Sequence, residues 1–285
     1  MERYYRFAGV ELAVSVPDER AYVEERHLAP FAVDAVTDPH VFRFAVTDTL
    51  EAPTGTCVAE NPAFRVYKDG DRRIRYIGTM GQSSEGAYIR VCGQGKINDV
   101  QLLGKWYPDR IGVKTVLNSI EAAHLIARAG GFVFHCSYIE RDGKAILFTA
   151  PSETGKSTQA ELWRTHRGAQ IINGDRAAVR IADGQVLAEG IPFAGSSCYC
   201  ENRSLPIAAI VYLGQAPRTT IRRMKGYEAF ARIWEGISVN TWDQTDMELV
   251  SEAVRQIAMT IPVYHLSCTP DESAVIALER ALESR

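Results

Sequence analysis

The sequence has no apolar run that approaches the roughly 20 residues of a membrane-spanning helix. Its charged start, residues 1–6, is not followed by the apolar stretch of a signal peptide. Neither sign of charge dominates, because the formal net charge is −3 over 285 residues. Without a basic excess there is no electrostatic reason to expect nucleic acid as a partner. These absences predict a cytoplasmic globular protein that binds neither nucleic acid nor a membrane.

Cysteine is also scarce, with six residues scattered along the chain. Only Cys198 and Cys200 lie close together, and a Cys-x-Cys pair matches no common zinc-binding spacing. Reduced thiols are the expected state of cysteines in a cytoplasmic protein. The cysteines therefore predict neither a disulfide framework nor a zinc site.

Apolar residues make up 46% of the chain, enough for the core of one large domain or two smaller ones. The first part of the chain is rich in strand patterns, such as the hairpin predicted around Asp69-Gly70. No constellation of catalytic or ligand-binding residues stands out there. We therefore predict a β-rich N-terminal region of unknown role, residues 1–108, followed by a second domain over residues 109–285.

In the second region, apolar residues at helical spacing predict one helix over residues 111–129, ended by Gly130-Gly131. A strand over residues 132–138 follows, and the turn Asp142-Gly143 leads back into a strand over residues 145–150. So short a connection requires antiparallel pairing of the two strands. This differs from the βαβ arrangement that precedes the phosphate loop in Ras-like and ATPase folds.

The segment directly after that strand has the composition of a phosphate-binding loop. In such a loop, backbone N–H groups and the N-terminus of the next helix hold phosphate oxygens. Lys156 would contact the terminal phosphates, and the hydroxyl of Ser157 would bind Mg²⁺. The usual pattern begins with Gly, and here that position is Ala150; an ordinary turn into a helix is the alternative. The predicted nucleotide-binding residues are Ser152, Glu153, Thr154, Gly155, Lys156, Ser157 and Thr158.

A second polar site follows the short strand predicted over residues 169–172, where Asn173-Gly174-Asp175 stands at the strand end. An Asp at a strand tip soon after a phosphate loop is suited to contact a metal or to act as a catalytic base. The alternative is a purely structural turn, because Asn-Gly-Asp is favourable turn chemistry.

The order of these motifs resembles the HPr kinase/phosphorylase family over about residues 110–285. The resemblance is strongest to the HPr-kinase-like proteins that accompany peptide natural-product clusters. It implies an α/β fold of the phosphoenolpyruvate carboxykinase type, with a mixed sheet and a phosphate loop. It also implies ATP and Mg²⁺, transfer of the γ-phosphoryl group to a hydroxyl of a protein, peptide or small molecule, and homo-oligomeric assembly.

The resemblance also implies roles for individual residues. Asp175 falls at a position that serves metal contact and proton abstraction from the acceptor, and His135 falls at a position near the γ-phosphate. The segment that positions the acceptor and contributes a catalytic cation falls within residues 190–203. Its candidates are Gly195, Ser196, Ser197 and Arg203. A half-buried strand histidine and a plain loop are the respective alternatives.

One departure from the family pattern affects the predicted activity. The family has two adjacent aspartates, and the first of them is Gly174 here. Asp175 would then have to serve both metal contact and proton transfer, or another residue would supply one of these roles. A nucleotide-binding regulator without catalysis therefore stays an alternative to a kinase, as does a carboxykinase-like enzyme on the same fold.

Overall fold

The chain divides into two compact units, Met1–Glu121 and Ala122–Arg285. This division comes from a computed structural model that describes residues 1–17, 21–23, 27–79, 86–107, 110–195 and 199–284. The sequence predicts a boundary after residue 108, whereas the structural division comes later. Arg110–Gly112 belongs to the first unit because it pairs in parallel with Ala21–Val23.

Strands dominate the described part of the first unit. They are β1 (Glu2–Phe7), β2 (Val10–Ser15), β3 (Ala21–Val23), β4 (Ala32–Val33), β5 (His40–Thr47), β6 (Thr56–Glu60), β7 (Phe64–Asp69), β8 (Arg72–Thr79), β9 (Gly86–Gln94), β10 (Ile97–Leu103) and β11 (Arg110–Gly112). All except β3 and β11 form one mixed sheet in the order β4-β1-β2-β5-β10-β9-β8-β7-β6. In β5, buried Phe42 and Phe44 alternate with exposed Arg43 and Ala45, which is the period of a strand with one buried face.

The prediction of one helix over residues 111–129 is wrong. The segment forms two helices, α1 (Val113–Ser119) and α2 (Ala122–Arg128). Glu121 has a φ of +47°, which lies outside the helical region. Its carboxylate lies 3.2 Å from Nε of Arg75 and 3.4 Å from Nη2 of Arg73, and Arg75 also donates to the carbonyl of Ser119. Because these contacts come from a distant strand, the local periodicity does not reveal the break.

The second unit has a mixed α/β structure, as the sequence predicts. Besides α2, its helices are α3 (Lys156–Arg167), α4 (Gly226–Trp234), α5 (Gln244–Thr260) and α6 (Glu272–Glu283). Its strands are β12 (Gly131–His135), β13 (Ser137–Arg141), β14 (Lys144–Thr149), β15 (Gln170–Asn173), β16 (Arg176–Ala182), β17 (Gln185–Glu189), β18 (Ser204–Gln215), β19 (Thr220–Met224), β20 (Ile237–Ser238) and β21 (Val263–Cys268). They follow the order β15-β13-β14-β18-β17-β16-β12-β20, and β21 pairs with β18 and β19.

The strand predicted over residues 132–138 is two strands in the structure, because the chain changes partners at Cys136: β12 pairs with β16, whereas β13 pairs with β14 and β15. The predicted hairpin is confirmed: β13 and β14 are antiparallel, and Asp142 and Gly143 have φ of +52° and +72° in the turn. β14 is parallel to β18, and β18 is parallel to β21. The carboxyl ends of these three strands therefore share one edge of the sheet, where ligands bind in open α/β sheets.

Helices cover both faces of this sheet. One apolar cluster joins Leu147 of β14 to Val254 of α5, and the other joins Phe148 of β14 to Trp163 of α3 and Val275 of α6. Leu147 and Phe148 are consecutive, and successive strand side chains point to opposite faces. A helical layer therefore packs on each side of β14. Within the described ranges, no helix has both the length and the apolar character needed to cross a bilayer.

Candidate functional site

A short loop, residues 150–155, joins the buried strand β14 to helix α3. Glu153 and Gly155 have φ of +64° and +113°, so the chain turns sharply just before Lys156, the first helical residue. No side chain caps the helix at Gly155. The first N–H groups of a helix lack intrahelical partners, and the helix dipole is positive at that end. The start of α3 is therefore suited to hold an anion.

The side chain of Lys156 is folded against this loop. It is 8% exposed, and its Nζ donates to the carbonyls of Ala150 at 3.0 Å and Pro151 at 3.3 Å. Burial lowers the pKa of Lys156, and the charges of Asp175 and Cys136 act in the opposite direction. An ammonium group is thus held at the base of the loop, within electrostatic range of Asp175.

His135 and Asp175 form a pair next to the loop. His135 ends β12 and Asp175 directly precedes β16, and His135 Nε2 lies 3.4 Å from Asp175 Oδ1. The other oxygen, Oδ2, lies 3.1 Å from Nε of Arg176. The hydrogen bond from His135 lowers the pKa of Asp175, and Arg176 acts in the same direction against the effect of burial. Asp175 is therefore an ionised, partly accessible carboxylate.

A hydrogen bond connects this pair to the loop. Thr149, the last residue of β14, donates through Oγ1 to the carbonyl of His135 at 3.0 Å. The loop leaves β14 directly after Thr149, so it starts beside the end of β12. The structure thus brings together His135, Asp175 and Lys156, which the sequence analysis assigned to one site.

Asn173 sets the position of Asp175. This side chain is fully buried, and its Oδ1 accepts from the backbone N–H groups of Asp175 at 2.9 Å and Arg176 at 3.0 Å. Its Nδ2 donates to the carbonyls of Ile191 and Phe193, both at 3.2 Å. One carboxamide therefore shapes the turn before β16 and ties a second loop to it.

That second loop also supplies Gly195, one of the predicted acceptor-segment residues. Gly195 has a φ of +54°, and a Cβ atom there would lie 2.7 Å from Cγ of Asp175. The absence of a side chain lets the backbone pack directly on the carboxylate. Two other candidates of this segment, Ser196 and Ser197, lie outside the described residues.

Arg203, the predicted catalytic cation, lies at a different part of the sheet. Its Nη2 is 2.5 Å from Oε2 of Glu140 on β13, whereas Arg176 is the cation that contacts Asp175. The sequence analysis missed both Arg176 and Asn173 as contributors to the site. In the sequence, only their place on either side of Gly174-Asp175 indicates that these two residues belong to the site. The direction of a side chain in a turn depends on the surrounding fold, so the sequence does not show that they contact Asp175.

A cavity of about 620 Å³ borders the same loop. Its wall is formed by residues 153–155 of the loop, Thr158 and Gln159 of α3, residues 213–216 at the end of β18, and residues 268–270 after β21. The volume lies within the range of small-molecule sites, about 300–1,000 Å³. The cavity occupies the sheet edge at which the parallel strands end.

A separate polar cluster joins α2 to α5. Possible ligand atoms of His124, Asp243 and Asp246 lie within 4.8 Å of one another, and His124 Nδ1 is 2.8 Å from Asp246 Oδ2. Arg128 Nε lies 3.3 Å from Asp246, and Asp243 caps α5 by accepting the Asp246 N–H. Because the Arg128 guanidinium already contacts both carboxylates, the cluster is better suited to capping α5 than to binding a metal.

Comparison with known proteins gives one family match. The family model described as SynChlorMet cassette protein ScmC matches residues 110–283, more than half of the chain. This chain belongs to the ScmC family. The family description names a cassette protein, which is consistent with the predicted natural-product cluster, and it names no reaction.

Other comparisons add little to the ScmC match. No curated protein matches the chain. The solved structure of the HPr(Ser) kinase/phosphatase from Coxiella burnetii is similar over 53% of this chain and 97% of that chain, at 11% identity. Its TM-score is 0.34, which is too low to assign the fold or the reaction of this ScmC-family chain.

Proposed function

We propose that this protein is an ATP-dependent phosphotransferase that moves the γ-phosphoryl group to a hydroxyl of a protein, peptide or small molecule. One observation carries the proposal: the His135–Asp175 pair and the Lys156 ammonium flank the same loop at the start of α3. Phosphoryl transfer uses a site that binds the phosphate groups and a residue that orients the nucleophile. The start of α3 and the ionised carboxylate of Asp175 are suited to these two roles.

The residues at the loop fit nucleotide phosphates and Mg²⁺. Lys156 and the N-terminus of α3 supply positive charge, and the exposed hydroxyl of Ser157 and the carboxylate of Asp175 are the hard oxygen ligands that Mg²⁺ prefers. When bound with ATP, Mg²⁺ would neutralise charge on the β- and γ-phosphates. Residues 152–158 would hold the phosphate groups.

Asp175 accepts the hydrogen bond of the acceptor hydroxyl in this mechanism. The acceptor oxygen forms a bond to the γ-phosphorus, the bond to the β-γ bridging oxygen breaks, and the hydroxyl proton passes to Asp175. Its lowered pKa makes Asp175 a weak base, so its main contribution is to orient the nucleophile. His135 holds the carboxylate in position, and Lys156 stabilises the negative charge of the departing ADP.

A nucleotide-binding regulator without catalysis is the second candidate function. Both oxygens of Asp175 are already engaged, one by His135 and the other by Arg176. Gly174 supplies no second carboxylate beside them. This candidate predicts that Mg-ATP binds and is not turned over.

Turnover of Mg-ATP, with candidate hydroxyl acceptors scanned by mass spectrometry for added phosphate, tests the proposal. We expect Asp175→Asn to lower turnover by about 10²- to 10⁴-fold, the contribution of a positioned acid–base group, and to leave ATP binding largely intact. Asp183→Asn is the matched control, because Asp183 lies in the exposed turn at the other end of β16. Lys156→Ala should weaken ATP binding itself.

The outcomes separate the two candidates. Acceptor-dependent ADP release that persists in Asp183→Asn and is lost in Asp175→Asn supports the phosphotransferase. Tight ATP binding without turnover on any acceptor supports the regulator. If Mg-ATP does not bind the wild-type protein, both candidates are wrong.

A further inference from the structure

We propose that the 620 Å³ cavity beside the loop is a nucleobase site in which Gln159 selects adenine. The carboxamide oxygen of Gln159 accepts a hydrogen bond from the exocyclic amino group of the base. This inference rests on the proposed function, because it requires a nucleotide whose phosphates lie at residues 152–158.

The position of the cavity matches the direction in which a nucleotide would extend. Glu153, Gly155 and Thr158 belong both to the cavity wall and to the segment proposed to hold phosphates. The described wall does not include His135 or Asp175, so the reacting end and the cavity lie along different parts of the loop. A nucleotide with its γ-phosphate at the His135–Asp175 pair would therefore extend its base into the cavity.

The lining of the cavity suits an aromatic ring with polar edges. Leu213, Ala216 and Pro270 contribute apolar surface, and Gln159 is a polar side chain in the same wall. Small-molecule sites typically combine a mostly apolar lining with a few polar groups that fix ligand orientation. A purine ring has two apolar faces and hydrogen-bonding groups along its edge, which fits this combination.

Gln159 has a hydrogen-bonding atom without a partner. The side chain is 3% exposed, and its Nε2 donates to the Sγ of Cys268 at 3.3 Å. Its Oε1 has no hydrogen-bond partner in the described structure. A buried acceptor without a donor is unfavourable, and most such groups in proteins are satisfied by protein, water or ligand. The exocyclic amino group of adenine is a donor, whereas inosine presents a carbonyl oxygen at the same ring position.

A hydrogen bond within the protein, and not one to a nucleobase, is the competing explanation for the unpartnered Oε1 of Gln159. Trp163 lies four residues further along α3, and its buried Nε1 also has no hydrogen-bond partner among the described residues. Residues four apart on a helix lie on one face. If the Trp163 N–H satisfied Gln159 Oε1 in solution, the protein would not distinguish bases through Gln159.

Equilibrium binding of three nucleotides tests the proposal. The ligands are ATP, purine riboside triphosphate, which lacks the amino group, and inosine triphosphate, measured by calorimetry with Mg²⁺. We expect wild type to bind ATP about two- to tenfold more tightly than either analogue, as one hydrogen bond implies. Gln159→Met keeps the side-chain length without the acceptor and should equalise the affinities. Gln170→Met, at an exposed position of β15, should keep the wild-type preference.

Each result is decisive. Equal binding of the three nucleotides by wild type, or tighter binding of inosine triphosphate, overturns the adenine selection and leaves the proposed function intact. Failure of all three to bind overturns the proposed function instead. If Gln159→Met does not fold, the wild-type ratio of ATP to purine riboside triphosphate still decides, because that comparison changes only the ligand.

Discussion

Replacing Asn173 with alanine would remove four hydrogen bonds, two that position the turn carrying Asp175 and two that tie a second loop to that turn. The lost partners are the N–H groups of Asp175 and Arg176 and the carbonyls of Ile191 and Phe193. At about 0.5–1.5 kcal/mol for each bond, the loss would be about 2–6 kcal/mol.

The structure narrows this estimate of the lost free energy of unfolding. Ile191 keeps a second bond, since its carbonyl also accepts the Phe193 N–H at 2.8 Å. The N–H groups of Asp175 and Arg176 are only partly buried, so water replaces some of their lost bonding. We therefore expect Asn173→Ala to lower the free energy of unfolding of the second unit by roughly 2–4 kcal/mol. This equals about a 30- to 700-fold change in the equilibrium constant.

Hydrogen exchange measured by mass spectrometry is the assay. In Asn173→Ala, amides of β15 and β16 that exchange through unfolding of the second unit should exchange about 30- to 700-fold faster than in wild type. Asn118→Ala is the matched control, because Asn118 is exposed on α1 and its replacement should change stability by less than about 0.5 kcal/mol. Unchanged exchange in Asn173→Ala would refute the positioning role of the carboxamide.

The substitution Asn173→Asp separates the two halves of this interaction. It keeps an oxygen for the N–H groups of Asp175 and Arg176, and it turns the donor toward residues 191 and 193 into an acceptor. We expect the amides of the turn before β16 to keep their protection and those of residues 190–195 to lose it. Equal loss in both segments would show that the two loops are not held independently.

Three further substitutions test other parts of the structure. Gly195→Ala should lower the free energy of unfolding by about 1–2 kcal/mol and should slow phosphotransfer, because the backbone at Gly195 is left-handed and an added Cβ would meet Asp175. Unchanged kinetics and stability would contradict this. Backbone N–H bonds, first that of Asp38, lower the pKa of Glu11 from 4.5 to about 2. The free energy of unfolding, measured with urea, should therefore fall from pH 4.5 towards pH 2 more steeply in wild type than in Glu11→Gln. Parallel pH dependences of the two proteins would contradict this. Leu147→Ala should cost about 2–5 kcal/mol by the same unfolding measurement, since Leu147 is fully buried, and a cost below 1 kcal/mol would contradict its core position.

Features that depend on neighbouring residues were predictable from the sequence. The apolar run before Pro151 predicted the buried strand β14, and the phosphate-loop pattern predicted that a helix follows it, which is α3. The turns at Asp69-Gly70 and Asp142-Gly143 predicted two hairpins, because Gly and Asp readily adopt positive φ. A strand, a tight turn and a helix start each require only a few consecutive residues.

Features that depend on distant residues needed the tertiary structure. At the break between α1 and α2, Glu121 contacts arginines of the distant strand β8, and at Cys136 the chain changes from pairing with β16 to pairing with β14 and β15. The cavity exists because β18 and β21, separated by α4 and α5 in the chain, end side by side. By itself, the sequence determined where strand β14, the turn before it and the loop after it lie, and which residues have suitable chemistry. Only the tertiary structure decided which of these residues meet, because such contacts join segments far apart in the chain.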